Sequence, residues 1–363
     1  MSIQYHHPDY LPKELDYGIF AKELAKAQYA VGLLQGSQSR LQNAMHLIGP
    51  LVAKEAAVSS KIEGTQSTSS DIYIFDAGGQ PTYSDTPIVS NYREAMLTAI
   101  ERLRAGQKLS IDLIKSLHAT LLNGVRHKGT IGNFRTGPVW IGEKDGDPIE
   151  KALYIPPEHF HVISYVENLI NYIETENQDI NLVKAGVIHY QFEAVHPFED
   201  GNGRIGRLLI PLILFYKHEL SLPIVYSSGY FEARPGEYRK ALRTVDKTGR
   251  YEEWLKFFLN AITEQAGETM DLINRIQVLH DEINKKYESS KSPYMSRFVD
   301  FIFRYPVFTI PMIQLKIVLR SRLTAARLIH QFTEDKVLIE VEGKKGPAGS
   351  KLYAFGDLLD IIR

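Results

Sequence analysis

Residues 196–207 read His196-Pro197-Phe198-Glu199-Asp200-Gly201-Asn202-Gly203-Arg204-Ile205-Gly206-Arg207. Upstream, Leu182 to Val195 carries Ile188, Phe192 and Val195 on one apolar stripe, which predicts a helix. Pro197 disfavours helical backbone at the residue before it, so that helix should stop near His196 and leave the imidazole at its end. Downstream, Arg204 to His218 predicts a second apolar helix. A short, polar, glycine-rich joint between two buried helices points to a mainly α fold arranged around this loop.

The Gly201-Asn202-Gly203 run admits backbone conformations that larger residues avoid. Several N–H groups can then face one concavity, at the positive end of the helix that follows. Arg204 and Arg207 are three apart, so they rise from one face of its first turns. Amides and two guanidiniums together suit a polyanion, most naturally a chain of phosphates. Asp200 would be repelled by such a ligand unless a divalent cation stood between them, and hard oxygen ligands suit magnesium. His196 supplies a base at the rim, able to take a proton near neutral pH. The structural alternative is that Asp200 and Asn202 merely cap a turn between helices, but capping accounts for neither the arginines nor the histidine.

The segment resembles the signature of the Fic family, His-Pro-Phe-x-Asp/Glu-Gly-Asn-Gly-Arg-x-x-Arg, and matches every fixed position. Most characterised members move AMP from ATP to a hydroxyl side chain of a protein. The resemblance implies His196 as general base, Asp200 as magnesium ligand and Gly201, Asn202 and Gly203 as phosphate cradle, with Arg204 and Arg207 on the outer phosphates. ATP and Mg2+ are thus the small molecules it implies. The choice of AMP as transferred group rests on the resemblance alone, because the loop's chemistry sees phosphates and not the base.

Composition sets wider bounds. The chain has 363 residues, is 44% hydrophobic and 23% charged, and carries a formal net charge of -1. That length predicts two or three domains with ample core, and the charge balance argues against a globally basic nucleic-acid coat. With no cysteine, disulfide and thiolate chemistry are excluded. No apolar run approaches the roughly 18 to 20 residues of a membrane span, and the N-terminus lacks a basic segment followed by an apolar one. A cytoplasmic protein without a membrane partner is the simplest expectation.

Ahead of the signature, helical spacing predicts helices over Asp16–Leu34, Ser37–Ile48 and 51–64, with Pro50 opening the third and Gly64 closing it. Ser59 and Glu63 share a face of that third helix. In isolation Glu63 reads as a solvated glutamate. Fic proteins often carry an inhibitory Ser/Thr-x-x-x-Glu-Gly/Asn motif, however, and Ser59, Glu63 and Gly64 fit it. The resemblance then implies the class with an N-terminal inhibitory helix, in which Glu63 pairs with Arg207 and takes the place of the γ-phosphate. Residues 1–90 are read as this helical region, 91–287 as the catalytic core and 288–363 as a separate module.

Within residues 65–90 one β-like run is predicted, Asp71 to Asp76, and the next helices are predicted at Asn91–Ala105 and Asp112–Leu122. His118 in the latter reads as a core histidine rather than a ligand. Residues 133–157 break the helical rhythm: Val139–Ile141 and Ala152–Ile155 flank a turn-rich tip, which predicts a β-hairpin. The family's corresponding hairpin is a flap along which an extended target segment is thought to lie. On that resemblance Ile141 and Gly142 are placed near the nucleotide, and the target is a protein offering a Ser, Thr or Tyr hydroxyl. Tyr238, four before Leu242, resembles the family's tyrosine against adenosine, although the spacing from Arg234 is one longer and Asp246 stands where many members have Asn.

From Ser292 onward three helices and a β-hairpin resemble a winged-helix domain, with 11 Lys/Arg against 7 Asp/Glu. Arg320, Arg322, Arg327, Lys344 and Lys345 could face a duplex backbone; the module could equally dock protein or form a homodimer. Removal of AMP on the same site, and a nucleotide-sensing DNA-binding regulator, are the alternatives to AMP transfer.

Overall fold

The computed structural model describes residues 4–38, 45–143, 146–176, 178–317 and 321–363. Among them regular structure amounts to fifteen α-helices and one three-stranded antiparallel sheet. The fold is mainly α, as the spacing predicts. In chain order come α1 (Tyr17–Gln38), α2 (Met45–Lys61), α3 (Ser69–Asp76), α4 (Thr86–Arg104) and α5 (Ile111–Leu121). Next are α6 (Val162–Glu174), α7 (Asn181–Val195), α8 (Asn202–Tyr216), α9 (Ser228–Ala233), α10 (Pro235–Thr248) and α11 (Glu252–Lys286). The C-terminal part adds α12 (Met295–Arg304), β1 (Val307–Phe308), α13 (Ile310–Ile317), α14 (Arg322–Glu334), β2 (Ile339–Lys345), β3 (Lys351–Ala354) and α15 (Gly356–Ile361). Two compact units result: residues up to Gly36 with Glu94–Ala266, and Ser37–Arg93 with Gly267–Arg363.

The first unit is built on α7 and α8. Nearly every residue of α7 from Leu182 to Val195 is buried, the mark of a helix covered on all sides rather than lying on a surface. In α8, Ile205, Leu208, Ile210 and Leu212 are wholly buried. Gly186 lets α11 close on α7: Trp254 Nε1–H donates to its carbonyl at 2.8 Å, and a Cβ there would lie 2.7 Å from Phe258 Cδ1 and 3.0 Å from Leu255 Cδ2. Gly186→Ala should therefore cost about 1–3 kcal/mol through overpacking, read as a lower midpoint in urea with an unchanged slope.

In the second unit several sequence expectations are corrected. The Asp71–Asp76 run is helical, not extended, because Thr68 and Asp71 form a capping box at the start of α3. Pro50 does not open a helix; it lies inside α2, and the intrahelical bond it forgoes is offset by burial of Ile48, Leu51 and Val52. That helix ends at Lys61, so Glu63 lies in the turn beyond it: Thr65 N–H donates to Ser60 O and Gly64 N–H to Lys61 O, with Gly64 at φ 89°. This is a Schellman closure with Glu63 as C-cap.

Elsewhere α1 runs on past Gly36 to Gln38, and α11 is continuous from Glu252 to Lys286. The C-terminal module runs helix, short strand, two helices and a hairpin, in sheet order β1–β3–β2. Its hairpin turn packs within the same unit, where a Cβ on Gly78 would meet Pro347 at 2.5 Å. Lys344 donates to Thr82 Oγ1 and faces Asp71, so this residue is turned toward its own unit. Arg322, Arg327 and Lys345 are exposed, and Arg320 lies outside the described residues.

Candidate active site

His196 closes α7 in a left-handed conformation, φ 49° and ψ 61°. Such backbone is uncommon for a residue with a side chain, and buried Arg135 braces it. The Arg135 guanidinium donates to His196 O at 2.8 Å, Gly137 O at 3.2 Å, Val195 O at 3.3 Å and to Pro157 O. Its backbone N–H donates to Pro197 O at 2.9 Å. One cation thus gathers the carbonyl end of α7, where a helix is electronegative, together with both bases of the 133–157 segment. Burial pulls this guanidinium down to about 10, which leaves it charged at neutral pH.

The imidazole of His196 lies with Nδ1 3.3 Å from Glu193 O. A carbonyl can only accept, so the proton is on Nδ1 and the basic lone pair on Nε2. After Pro197 the chain is stapled: Asn202 accepts Phe198 N–H and donates to Phe198 O, both at 2.8 Å. Gly201 between them has φ 78°, and a Cβ there would meet Leu121 of α5 at 3.2 Å. Conformation and space both require glycine. Asn202→Ala should cost about 2 kcal/mol or more, since it strands two backbone groups in a buried loop, and the melting temperature of the full chain measures it.

Arg204 and Arg207 leave the first turns of α8 and are 7% and 2% exposed, so both are turned inward rather than splayed toward solvent. Asp200 lies 3.3 Å from Arg204 Nη2, and its other oxygen accepts from Lys128 N–H at 3.4 Å. Its side chain keeps 30% exposure. One partly open carboxylate is a donor that suits magnesium, with oxygens of a bound phosphate ligand able to complete the shell. Among the described residues no cluster of three or more His, Cys, Asp or Glu exists to hold a metal on its own.

Glu199 accepts Thr130 N–H at 3.1 Å. A cleft of about 590 Å³ opens beside it, lined among others by Lys128, Gly129, Trp140, Ile141 and Gly142. Ile141 and Gly142 thus border a hollow shared with the signature. The predicted hairpin is reduced here to a single bridge, Ile141 with Tyr154, because Pro148 and a 3-10 turn over Ile149–Lys151 interrupt the returning run.

Two further histidines, His118 and His189, are buried in this unit. His189 is buried against Tyr238, whose hydroxyl lies 2.8 Å from Nε2, and burial pushes its pKa down to about 3. Tyr238 is 6% exposed and stacks on Phe231 at 4.4 Å, so its ring is part of the core. His118, read from sequence as core, is buried but joined to the loop. Its ring lies on Phe198 at 3.8 Å, Gly132 N–H donates to Nδ1 at 2.9 Å, and Nε2 is 3.0 Å from Asp200 O. Burial pushes this imidazole down to about 4. Neither His118 nor Arg135 was singled out for the site by sequence; helical spacing marks His118 as inward, but names no partner for it. Ser59, Glu63 and Gly64 belong to the second unit.

A helical unit that presents an imidazole, a glycine nest and two inward arginines in twelve residues defines a Fic-type protein. Family models agree: Fic/DOC family over residues 108–214 and Fic/DOC family N-terminal over 21–101. A Fido domain-containing protein of Dictyostelium discoideum is 31% identical over 119 residues, 32% of this chain and 72% of that protein. The chain belongs to the Fic/DOC family. A probable protein adenylyltransferase of Aquifex aeolicus (strain VF5) is 28% identical over 151 residues, 40% of this chain; the chain spans 45% of that relative's length. A crystal structure of a Fic family protein from Desulfovibrio desulfuricans G20 superposes with a TM-score of 0.61 at 17% identity, over 95% of this chain and 98% of that one, which shows a shared fold. No described helix is long and apolar enough to cross a membrane.

Proposed function

We propose that this protein transfers AMP from ATP to a hydroxyl side chain of a target protein. The observation that carries the reading is the joint of α7 and α8: Gly201 at φ 78°, with Arg204 and Arg207 buried on the turns that follow. Backbone N–H groups there and the two guanidiniums bind the phosphates. His196 Nε2 takes the proton of the incoming hydroxyl, whose oxygen bonds to the α-phosphorus as the bond to pyrophosphate breaks. Arg204 and Arg207 stabilise the departing charge, and such preorganised cations carry much of the rate in phosphoryl-type transfers. Asp200 would hold Mg2+, which supplies further neutralisation of phosphate charge. An extended target segment beside Ile141 would set the register of the hydroxyl.

The reading includes restraint by Glu63, supported by the likeness of Ser59 to Gly64 to the inhibitory motif: a carboxylate competing with the γ-phosphate for Arg207. The element order from α12 to β3 and the sheet order β1–β3–β2 support a winged-helix-like module. With Lys344 turned inward, docking of protein is favoured over duplex DNA for it. The test is a pair of labels: with ATP labelled at the α-phosphate, protein should become labelled, and with γ-labelled ATP it should not. Label from the γ position, or free AMP released from a modified protein without net labelling, would replace the reading by kinase-like transfer or by AMP removal.

A further inference from the structure

We propose that His118 is a positioning residue for this reaction, aiming the phosphate-binding amides of the signature loop from beneath. The inference rests on the AMP-transfer reading and deepens it. Gly132 N–H can only donate and lies 2.9 Å from Nδ1, so Nδ1 is the acceptor and the proton is on Nε2. That N–H donates to Asp200 O at 3.0 Å. In a trans peptide plane the carbonyl and the following N–H point in opposite directions. Holding Asp200 O down on α5 therefore turns Gly201 N–H away from α5, to the side where a phosphate would lie.

The neighbours keep this plane from rotating. His118 lies flat on Phe198, with ring centroids 3.8 Å apart and planes 5° from parallel. A Cβ at Gly201 would meet the His118 ring at 3.6 Å. On the other side Gly132, the donor to Nδ1, leads into the segment that bears Ile141, and a Cβ on it would meet Ala119 at 3.1 Å and Lys115 O at 3.2 Å. One neutral imidazole thus sets loop and flap approach against the same helix. A buried imidazole needs a partner for each nitrogen, and here the two partners are the signature loop and the approach to the flap.

The test uses the full chain, in both wild-type and Glu63→Gly forms, with His118→Phe and His118→Gln. Phenylalanine keeps the stack on Phe198 and removes both hydrogen bonds. Glutamine can return a donor near the Nε2 position. His118→Phe should lower kcat about 100-fold, the loss that a misplacement of about 1 Å produces, with a smaller rise in KM for ATP. His118→Gln should recover at least about tenfold of that loss. Wild-type kcat in His118→Phe, or no recovery in His118→Gln, overturns the proposal. If His118→Phe does not fold, His118→Gln is compared with wild type, and a kcat no better than His118→Ala overturns it. If the unaltered chain and Glu63→Gly both transfer nothing, the functional reading has failed, and the positioning claim is judged by nitrogen-15 spectra of the imidazole: protonation on Nε2 is expected, and protonation on Nδ1 overturns it.

Discussion

His196→Ala should stop AMP transfer while ATP remains bound. In the proposed reaction the phosphates are held by loop amides and by Arg204 and Arg207, none of which the substitution touches. What disappears is the Nε2 lone pair, oriented because Nδ1 faces Glu193 O at 3.3 Å. A positioned general base contributes about 10²- to 10⁴-fold, so transfer should fall by at least that margin. Histidine already carries the left-handed cost at φ 49°, and alanine, less suited to that region, adds only a little to it, so a small drop in melting temperature should accompany the substitution. His196→Asn separates the two effects, because asparagine tolerates left-handed backbone and cannot act as a base. Both variants should be inactive and bind ATP by calorimetry within a few-fold of wild type; transfer by either at near wild-type rate would remove His196 from the chemistry.

Legibility followed the physics of each segment. Helices buried on one stripe or all round were readable, and so was the loop between α7 and α8, since Pro197 and three glycines leave few alternatives. Misreadings occurred where a local signal was outweighed. Pro50 is a breaker by propensity, yet buried neighbours carry α2 through it. Asp71–Asp76 holds a β-branched and aromatic run that resembles a strand, and the decisive residue, Thr68, lies outside the run. Side-chain bonds to distant carbonyls were beyond reach in principle: nothing in the order of residues says that Arg135 collects His196 O, or that His118 meets Asp200 O. Such bonds connect segments 61 and 82 residues apart.

Glu63→Gly should raise labelling from α-phosphate-labelled ATP, by about 10²-fold if the restraint equals a partly shielded ion pair of about 3 kcal/mol. Glu63 stands at a helix end. It is the C-cap of α2, at the negative end of a helix, where a carboxylate is disfavoured by a few tenths of a kcal/mol. Its removal should thus leave the cap of α2 no weaker, and since the proposed pair with Arg207 is lost, the melting temperature should fall while transfer rises. Glu63→Gln distinguishes charge from shape: it keeps the length of the side chain and removes the anion, so it should also be activated. If only the glycine variant is activated, freedom of the turn at 62–64 is what matters rather than charge. If neither is, and both release less free AMP from an AMP-modified protein than wild type does, Glu63 serves removal of AMP by positioning water, and transfer is the minor direction of this site.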